Sequence, residues 1–518
     1  MGGRLGRQPV SAGGCEALKI RERLVRVAGG LTLAGIVLIL IGGLFLGARI
    51  ATWRQQDDAE HLQAKRAYLA ALREQQPDAS RGRGERPNLL IVLFDDLGHG
   101  DLAAFGAMGI ETPRIDALAA AGLRLDAYYA PSPVCTPSRV AMLTGRYAPR
   151  ANLNIVAFPT GDPMDWLMRA SNVPATRVPE EEILLPEILA AVGYDTAMVG
   201  KWHLGDRSPS LPLERGFERF VGALYSNDMT PFAIYRDAEV LYDAPFDQTR
   251  MNEVYTRAAI EFLEQPREGP FFLYFAHNFP HVPLHTPESD RGRSQAGLYG
   301  DVIEGLDDSV GAILDALARR GELEDTLILL TSDNGPWFEG SPGPVRGRKG
   351  QTWEGGMHVP FIAHWPARIE GGRRSSAPVV GVDLVPTLLA LLGLPTPPDR
   401  VLDGRDVGNH IFDDAPAEDR LVHYFGVSGS FDAIRDTRFK YHRRRGVRAG
   451  GGDGYSFSMP WGPWLFDLEL DPAESYDVTR THPEQAERMA RIFAAEQAGL
   501  AANPRGWRSS KAELRVQP

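Results

Sequence analysis

The sequence predicts an α/β domain with a large, mostly parallel mixed sheet flanked by helices, followed by a smaller C-terminal subdomain with an antiparallel sheet. Three observations predict it. Near-continuous apolar runs such as Asn88-Leu89-Leu90-Ile91-Val92-Leu93-Phe94 and Phe271-Phe272-Leu273-Tyr274-Phe275-Ala276 read as strands buried on both faces, as parallel strands usually are. Apolar strands around 196–200, 271–276, 326–331 and 359–363 alternate with helical stretches around 114–121, 184–191, 252–263 and 298–317, which places helices on both sheet faces. Beyond about Arg400 the pattern changes. Leu421-Val422-His423-Tyr424-Phe425, Ala433-Ile434-Arg435 with Phe439-Lys440-Tyr441, and Trp464-Leu465-Phe466-Asp467-Leu468 are short strands between Gly- and Asp-rich turns, closed by a helix near 483–500.

A chain of 518 residues exceeds what one compact unit usually holds, so a main domain plus a smaller one is expected. The net charge of −11, with no basic tract to reverse it, excludes a nucleic-acid partner. Only Cys15 and Cys135 are present, so no disulfide framework organises the fold.

The N-terminal part carries a different signal. No charged residue occurs in 27–48, and at about 1.5 Å per residue such a helix reaches roughly 30 Å, the depth of a bilayer's hydrocarbon core. No small-x-small cleavage site follows, since Arg49 interrupts it; an uncleaved signal-anchor is therefore preferred over a cleaved signal, and both over a buried helix. Lys19, Arg21, Arg23 and Arg26 precede the segment, against Arg49 and Arg54 after it. That bias puts the N-terminus in the cytoplasm and the bulk outside, periplasmic or extracellular. The expected order is a cytoplasmic segment 1–26, a transmembrane anchor 27–48, a stalk and linker 49–86, the main domain 87–400 and the C-terminal subdomain 401–518. Within 49–86, a helical stalk spans 57–75 and a Gly- and Arg-rich linker 77–86.

Seven strings carry chemistry. Cys135-Thr136-Pro137-Ser138-Arg139 reads as a helix start with the cysteine at the N-terminus, where outward N–H groups favour an anion; a lone cysteine would otherwise be a small buried hydrophobe. Asp95-Asp96-Leu97-Gly98 ends the first buried strand, where open α/β sheets gather ligands. Thr331-Ser332-Asp333-Asn334-Gly335 follows another such strand. Each acidic pair alone could cap a turn; together Asp95, Asp96, Asp333 and Asn334 offer an oxygen set that selects a hard cation over zinc. In Gly193-Tyr194-Asp195-Thr196-Ala197-Met198-Val199-Gly200-Lys201-Trp202-His203-Leu204-Gly205 the strand delivers Lys201 and His203 to one face, so both could meet one anion. His277-Asn278-Phe279-Pro280-His281-Val282-Pro283 and Gly347-Arg348-Lys349-Gly350-Gln351-Thr352-Trp353-Glu354-Gly355-Gly356 add two more basic strings, and Tyr225-Ser226-Asn227-Asp228 is a shorter one. The stretch 151–174 lacks periodicity and is expected to be a loop near the site mouth.

These strings together resemble the type I sulfatases, arylsulfatase-like and formylglycine-dependent members of the alkaline phosphatase-like superfamily. The resemblance runs from about Pro87 to the stretch Leu465–Glu474 near the C-terminus. It implies hydrolysis of a sulfate ester to alcohol or phenol plus sulfate, through a formylglycine hydrate made from Cys135 by a separate formylglycine-generating enzyme. It implies calcium, with magnesium the alternative, on Asp95, Asp96, Asp333, Asn334 and the side chain at Cys135. It assigns sulfate binding to Lys201, Lys349, His281 and Ser226, orientation of the nucleophile to Arg139, the leaving-group proton to His281 and the later elimination to His203. His277 and His285 are neighbours without an assigned role. The implied substrate is a sulfated small molecule or glycan. Two rivals stand beside this: a phosphate or phosphonate esterase of the same fold, disfavoured by the intact cysteine pentad, and a membrane-tethered binding protein without turnover.

Overall fold

In the computed structural model, residues 13–74, 86–443, 445–448, 456–459 and 462–508 are described. Every residue of β1 (Asn88–Phe94) after Asn88 is buried, because this strand has parallel neighbours on both sides. The remaining strands of its sheet are β2 (Leu123–Tyr129), β3 (Asp195–Lys201), β4 (Arg219–Ala223), β5 (Ile234–Arg236), β6 (Glu239–Tyr242), β7 (Phe271–Ala276), β8 (Thr326–Ser332), β9 (His358–His364), β10 (Arg373–Ser375) and β11 (Val379–Val380). The 11-stranded order is β10-β2-β9-β8-β1-β7-β3-β4-β5-β6, with β11 on β2. The centre β8-β1-β7-β3-β4 is parallel, whereas β9 runs antiparallel to both β8 and β2. The expected mostly parallel mixed sheet is thus the observed one.

Helices cover both faces. In chain order the helices of the whole chain begin with α1 (Gly13–Thr52), α2 (Ala59–Glu74), α3 (Pro113–Ala120), α4 (Cys135–Thr144), α5 (Pro163–Ala170), α6 (Leu185–Ala191), α7 (Met251–Leu263) and α8 (Gly297–Arg320), of which α1 and α5 belong to a separate unit. One apolar layer joins α4 and α6 to one face through Val140, Leu143, Ile188 and Leu189. The other joins α3, α7 and α8 to the opposite face through Ile115, Tyr255 and Ile303. A four-stranded antiparallel sheet follows, ordered Val422–Phe425, Phe431–Arg435, Phe439–His442, Trp464–Asp467. The helix Pro483–Ala502 closes it by stacking Phe493 on Phe431 at 4.4 Å.

Contacts divide the chain into two units, Met1–Arg54 with Pro163–Val173, and Gln55–Asp162 with Pro174–Pro518. Two expectations change as a result. The stretch expected as a stalk is in large part α2, which belongs to the second unit and is packed on it. Tyr68, Leu69 and Leu72 are buried, and Lys65 Nζ lies 2.6 Å from Glu187 while donating to the carbonyls of Glu180 and Glu182 at 2.8 and 2.9 Å. A lysine on the apolar face reads as solvated from sequence, yet here it has a full set of acceptors. The linker 77–86 falls mostly on residues 75–85, outside the described residues. Secondly, the expected loop 151–174 contains the helix α5.

Candidate active site

The carboxyl ends of β1, β3, β7 and β8 open on one edge of the sheet and release the Asp95, Lys201, His281 and Asp333 strings, while the Cys135 string follows β2 and the Ser226 string follows β4. α4 begins at Cys135 after an extended Val134, with no side chain capping its first turn. Its leading N–H groups are therefore open to an acceptor. Cys135 is buried, and its Sγ donates to Asp95 Oδ1 at 3.2 Å. Asp96 and His203 adopt left-handed backbone, with φ of 67° and 61°, a conformation uncommon outside glycine that concentrates at functional sites. Gly200 and Gly335 are needed for close approach: a Cβ there would stand 2.0 Å from the Ala276 carbonyl or the Gly355 carbonyl.

One cluster gathers most of the expected residues. Lys201 Nζ donates to Asp95 Oδ2 and, at 3.2 Å, to Ser226 Oγ. Lys349 Nζ lies 2.8 and 2.9 Å from the two oxygens of Asp96. Asn334 Nδ2 donates to Asp96 at 2.7 Å. Arg139 Nε donates to Asp333 at 2.8 Å and Nη1 to the Lys201 carbonyl at 2.6 Å. His281 Nε2 is 3.7 Å from Asp96, with Ser226 Oγ 3.4 Å from its ring.

The donor set fits a hard cation. Ligand atoms of Asp95, Asp96, Cys135 and Asp333 all lie within 4.8 Å of one another. Asn334 Oδ1 beside them is buried without a hydrogen-bond partner, an orphan acceptor that a cation would satisfy.

The electrostatics show a cluster poised around its acids. Burial raises Asp95, but Lys201, His281 and Arg139 outweigh it and hold the carboxyl well below its usual range. Burial and the neighbouring Asp95 push Asp333 up to about 7. Burial and Asp95 likewise push the Cys135 thiol well up, so the sulfur stands protonated. Burial opposes the Lys349 charge, but Asp96 and its neighbours hold its pKa well above the usual value.

The histidines separate by environment. Burial, Lys201 and Arg139 push His203 well down. Its Nε2 lies 3.1 Å from the Ala157 carbonyl, which assigns the proton to Nε2 and leaves a buried, unpartnered Nδ1 as an acceptor. Burial and Lys349 lower His281. His277, pushed down by burial to about 3, accepts the Phe279 N–H at Nδ1 at 2.9 Å and packs edge-on to Tyr255; its place is structural. His285 is half-buried, which lowers it, and has Asp247 and Arg291 as charged neighbours of opposite effect.

Two features were missed in the sequence. Trp337 places its ring centroid 5.8 Å from Lys349 Nζ, forming an aromatic rim beside that lysine. Glu354, four residues after Lys349's glycine, is the centre of a second buried charge cluster. Both lie next to strings that drew attention for a lysine or an acidic pair, and their aromatic or acidic neighbours were the overlooked signal.

The chain that brings these acids and lysines together is a sulfuric ester hydrolase, and it belongs to the Sulfatase family, whose sequence model matches residues 87–394. The chain is 32% identical over 461 residues to N-acetylgalactosamine-6-sulfatase of Homo sapiens, covering 80% of this chain and 86% of that protein. Arylsulfatase A of Homo sapiens is 33% identical over 439 residues, with coverage of 76% and 83%. Among solved structures, the PsFucS1 sulfatase from Pseudoalteromonas sp. superposes with a TM-score of 0.72 at 28% identity, over 88% of this chain and 98% of that one.

Proposed function

We propose that this enzyme cleaves the sulfate ester of a sugar or other small alcohol in the pocket around Cys135, which serves as the precursor of formylglycine. The observation that carries the reading is the meeting of a protonated, buried cysteine with three carboxylates and three cationic side chains. A thiol held up by burial and Asp95 is a poor thiolate nucleophile, which favours a role as precursor. The relative named N-acetylgalactosamine-6-sulfatase supports a sulfated sugar as the substrate class.

Asp95, Asp96, Asp333, Asn334 and the side chain at 135 hold a calcium or magnesium ion, which when bound neutralises charge on the sulfuryl oxygens. Formylglycine, made by a separate formylglycine-generating enzyme, supplies a hydrated aldehyde as the nucleophile. Lys201 and Lys349 bind the sulfuryl oxygens, and Ser226 adds a hydroxyl between Lys201 and His281. Arg139, fixed through Nε and Nη1, keeps Nη2 without a hydrogen bond, 3.9 Å from Asp95, to orient the side chain at 135. His281 is neutral before substrate arrives, because burial and Lys349 lower it; the sulfate anion raises its proton affinity, and it then protonates the leaving oxygen. His203, with Nδ1 bare, takes a proton at residue 135 as sulfate departs.

The domain acts outside the cytoplasm, held by α1. The support is an apolar stretch, Gly35–Thr52, of which none is buried, and the basic Lys19, Arg21, Arg23 and Arg26 before it. Protease added to spheroplasts should digest the domain; protection until lysis would refute the topology.

Mass analysis of the peptide containing residue 135, from a host with the oxidising enzyme, tests the chemistry. The aldehyde is expected, and an unmodified thiol in fully active protein would overturn the reading. Rates on matched aryl sulfates and aryl phosphates separate sulfatase from phosphatase action. His281→Ala should cost most on substrates with poor leaving groups, on the order of 10²–10⁴-fold, and little on a nitrophenyl sulfate; equal losses across the series would remove His281 from that role.

A further inference from the structure

The helix α5 (Pro163–Ala170) stands apart from the elements around it in the chain, because its contacts join it to the N-terminal apolar helix. Its sequence, Pro163-Met164-Asp165-Trp166-Leu167-Met168-Arg169-Ala170, turns Asp165, Met168 and Ala170 inward. Trp166 and Leu167 face outward, 49% and 55% exposed. A large exposed pair of this kind, on a helix that also buries a methionine, has no packing reason to be there.

What lies beside the pair is the exit of the apolar helix. Trp53, just past the end of α1, donates its indole N–H to the Val173 carbonyl at 3.1 Å. The Arg169 guanidinium sits over the Trp53 ring, 5.3 Å from its centroid, and is steadied by Asp165 at 2.9 Å. Arg49 and Arg54 at the same exit are exposed. Arg54 folds back on the carbonyls of Ala51 and Trp53 at 2.8 and 2.7 Å. The stretch before it is lined with open apolar side chains, among them Leu38, Ile39, Leu44 and Phe45 at 65–75% exposure.

This is the pattern of a membrane interface: an apolar span, then tryptophans with an apolar body and a polar edge, then arginines suited to phosphate headgroups. We infer that α5 is a second membrane contact, with Trp166 and Leu167 inserted among the lipid headgroups next to the exit of the anchor. The occupant of this face is the bilayer, because the helix that bears the exposed pair packs at the exit of the only helix among the described residues that is long and apolar enough to cross one. A short amphipathic helix lying in the interface plane binds through just such side chains. The chain thus meets lipid at two segments more than a hundred positions apart in sequence. The inference rests on the reading of α1 as an anchor.

The test uses the full chain carrying Cys15→Ser, reconstituted in vesicles of mixed zwitterionic and anionic phospholipid, with a nitroxide attached at Leu167→Cys and, separately, at Trp166→Cys. Cys135 is buried and does not compete for the label. Both positions are exposed, so neither change removes packing. Relaxation by oxygen, which concentrates in lipid, should exceed relaxation by a water-soluble nickel chelate at both sites. Alkaline carbonate extraction of the same vesicles reports on the anchor. A chain that resists extraction while either label relaxes chiefly with the nickel chelate overturns the second contact and leaves the anchor standing. A label shielded from both colliders means protein covers α5, and also overturns it. A chain released by carbonate overturns the anchor and this inference together.

Discussion

Two clusters of buried charge lie in the same unit and could hardly be finished more differently. Around Glu354, every charge is answered. Its Oε1 accepts from Lys440 at 3.0 Å and from the Tyr424 hydroxyl. Its Oε2 accepts from Tyr129 at 2.7 Å and Arg435 at 2.9 Å. Burial alone would raise this carboxyl, yet Lys440 and Arg435 hold it well below the usual range. Glu474, in left-handed backbone with φ of 52°, accepts the Glu354 N–H at 2.7 Å and pairs with Lys440 at 3.1 Å and His442 at 2.7 Å. Around Cys135 the formal charges are more numerous, but Asp333 is pushed up to about 7, Asn334 Oδ1 has no hydrogen-bond partner, and Arg139 Nη2 has none either, with Asp95 3.9 Å away. A saturated network specifies one arrangement of the chain. An unsaturated one is the arrangement of a binding site, which a ligand completes.

The two clusters are connected through one loop. The Lys349 N–H donates to the Pro336 carbonyl at 2.9 Å and the Gly350 N–H to the Pro133 carbonyl at 2.8 Å, while Gly355 N–H closes the loop on Arg346 at 2.7 Å. Arg346 donates to the Glu474 carbonyl at 3.2 Å. The segment that follows the C-terminal sheet therefore holds the loop that presents Lys349. The largest expected effect lies at the unsaturated end: Cys135→Ala should reduce turnover to background, and Asp333→Asn should lower it on the order of 10²–10³-fold, as loss of a preorganised electrostatic group does. Both should leave the thermal midpoint nearly unchanged in chelator, since each change is small in volume and Asp333→Asn removes a charge that burial and Asp95 already disfavour, pushing the carboxyl up to about 7. A collapse in stability for either variant would erase the distinction between the clusters.

The saturated end should respond the other way. Glu354→Ala leaves Lys440 and Arg435 buried without their shared acceptor, a loss of ~3–5 kcal/mol. Calorimetry should show a much lower midpoint, with Glu354→Gln between the two because it keeps part of the hydrogen bonding. If Glu354→Ala instead kept its midpoint and lost only activity, the cluster would belong to the chemistry.

Legibility in the sequence followed the same line. Asp95, Asp96, Asp333, Asn334 and Lys201 sit at or just past the ends of apolar strands, so the central sheet and these strings could be read from short local patterns. The Glu354–Glu474 pairing spans 120 positions, and no local pattern announces which distant carboxylate receives which N–H. The helix expected over 57–75 is present as α2, but its packing is not legible for a related reason, because Lys65 is neutralised by Glu187, a partner far away in sequence. The helix α5 has only eight residues, about two turns, too few for a helical period to stand out against Pro159, Gly161 and Pro163 around it.

The smallest expected effect joins both ends in one measurement. Without an ion, Asp95, Asp96 and Asp333 confront one another across the pocket; a bound cation relieves that and stabilises the folded state by mass action, about 2.7 kcal/mol at a free concentration a hundred times its Kd. Adding calcium or magnesium to chelator-stripped enzyme should therefore raise the midpoint, and Asp333→Asn should remove most of the increment. Glu354→Gln should start lower and gain the same increment as the wild type, because the clusters share no side chain and distant sites add. An increment that shrank in Glu354→Gln would mean that the loop carrying Lys349 transmits strain from the saturated cluster into the ion site, with the Lys349–Asp96 pair as the connection to break next.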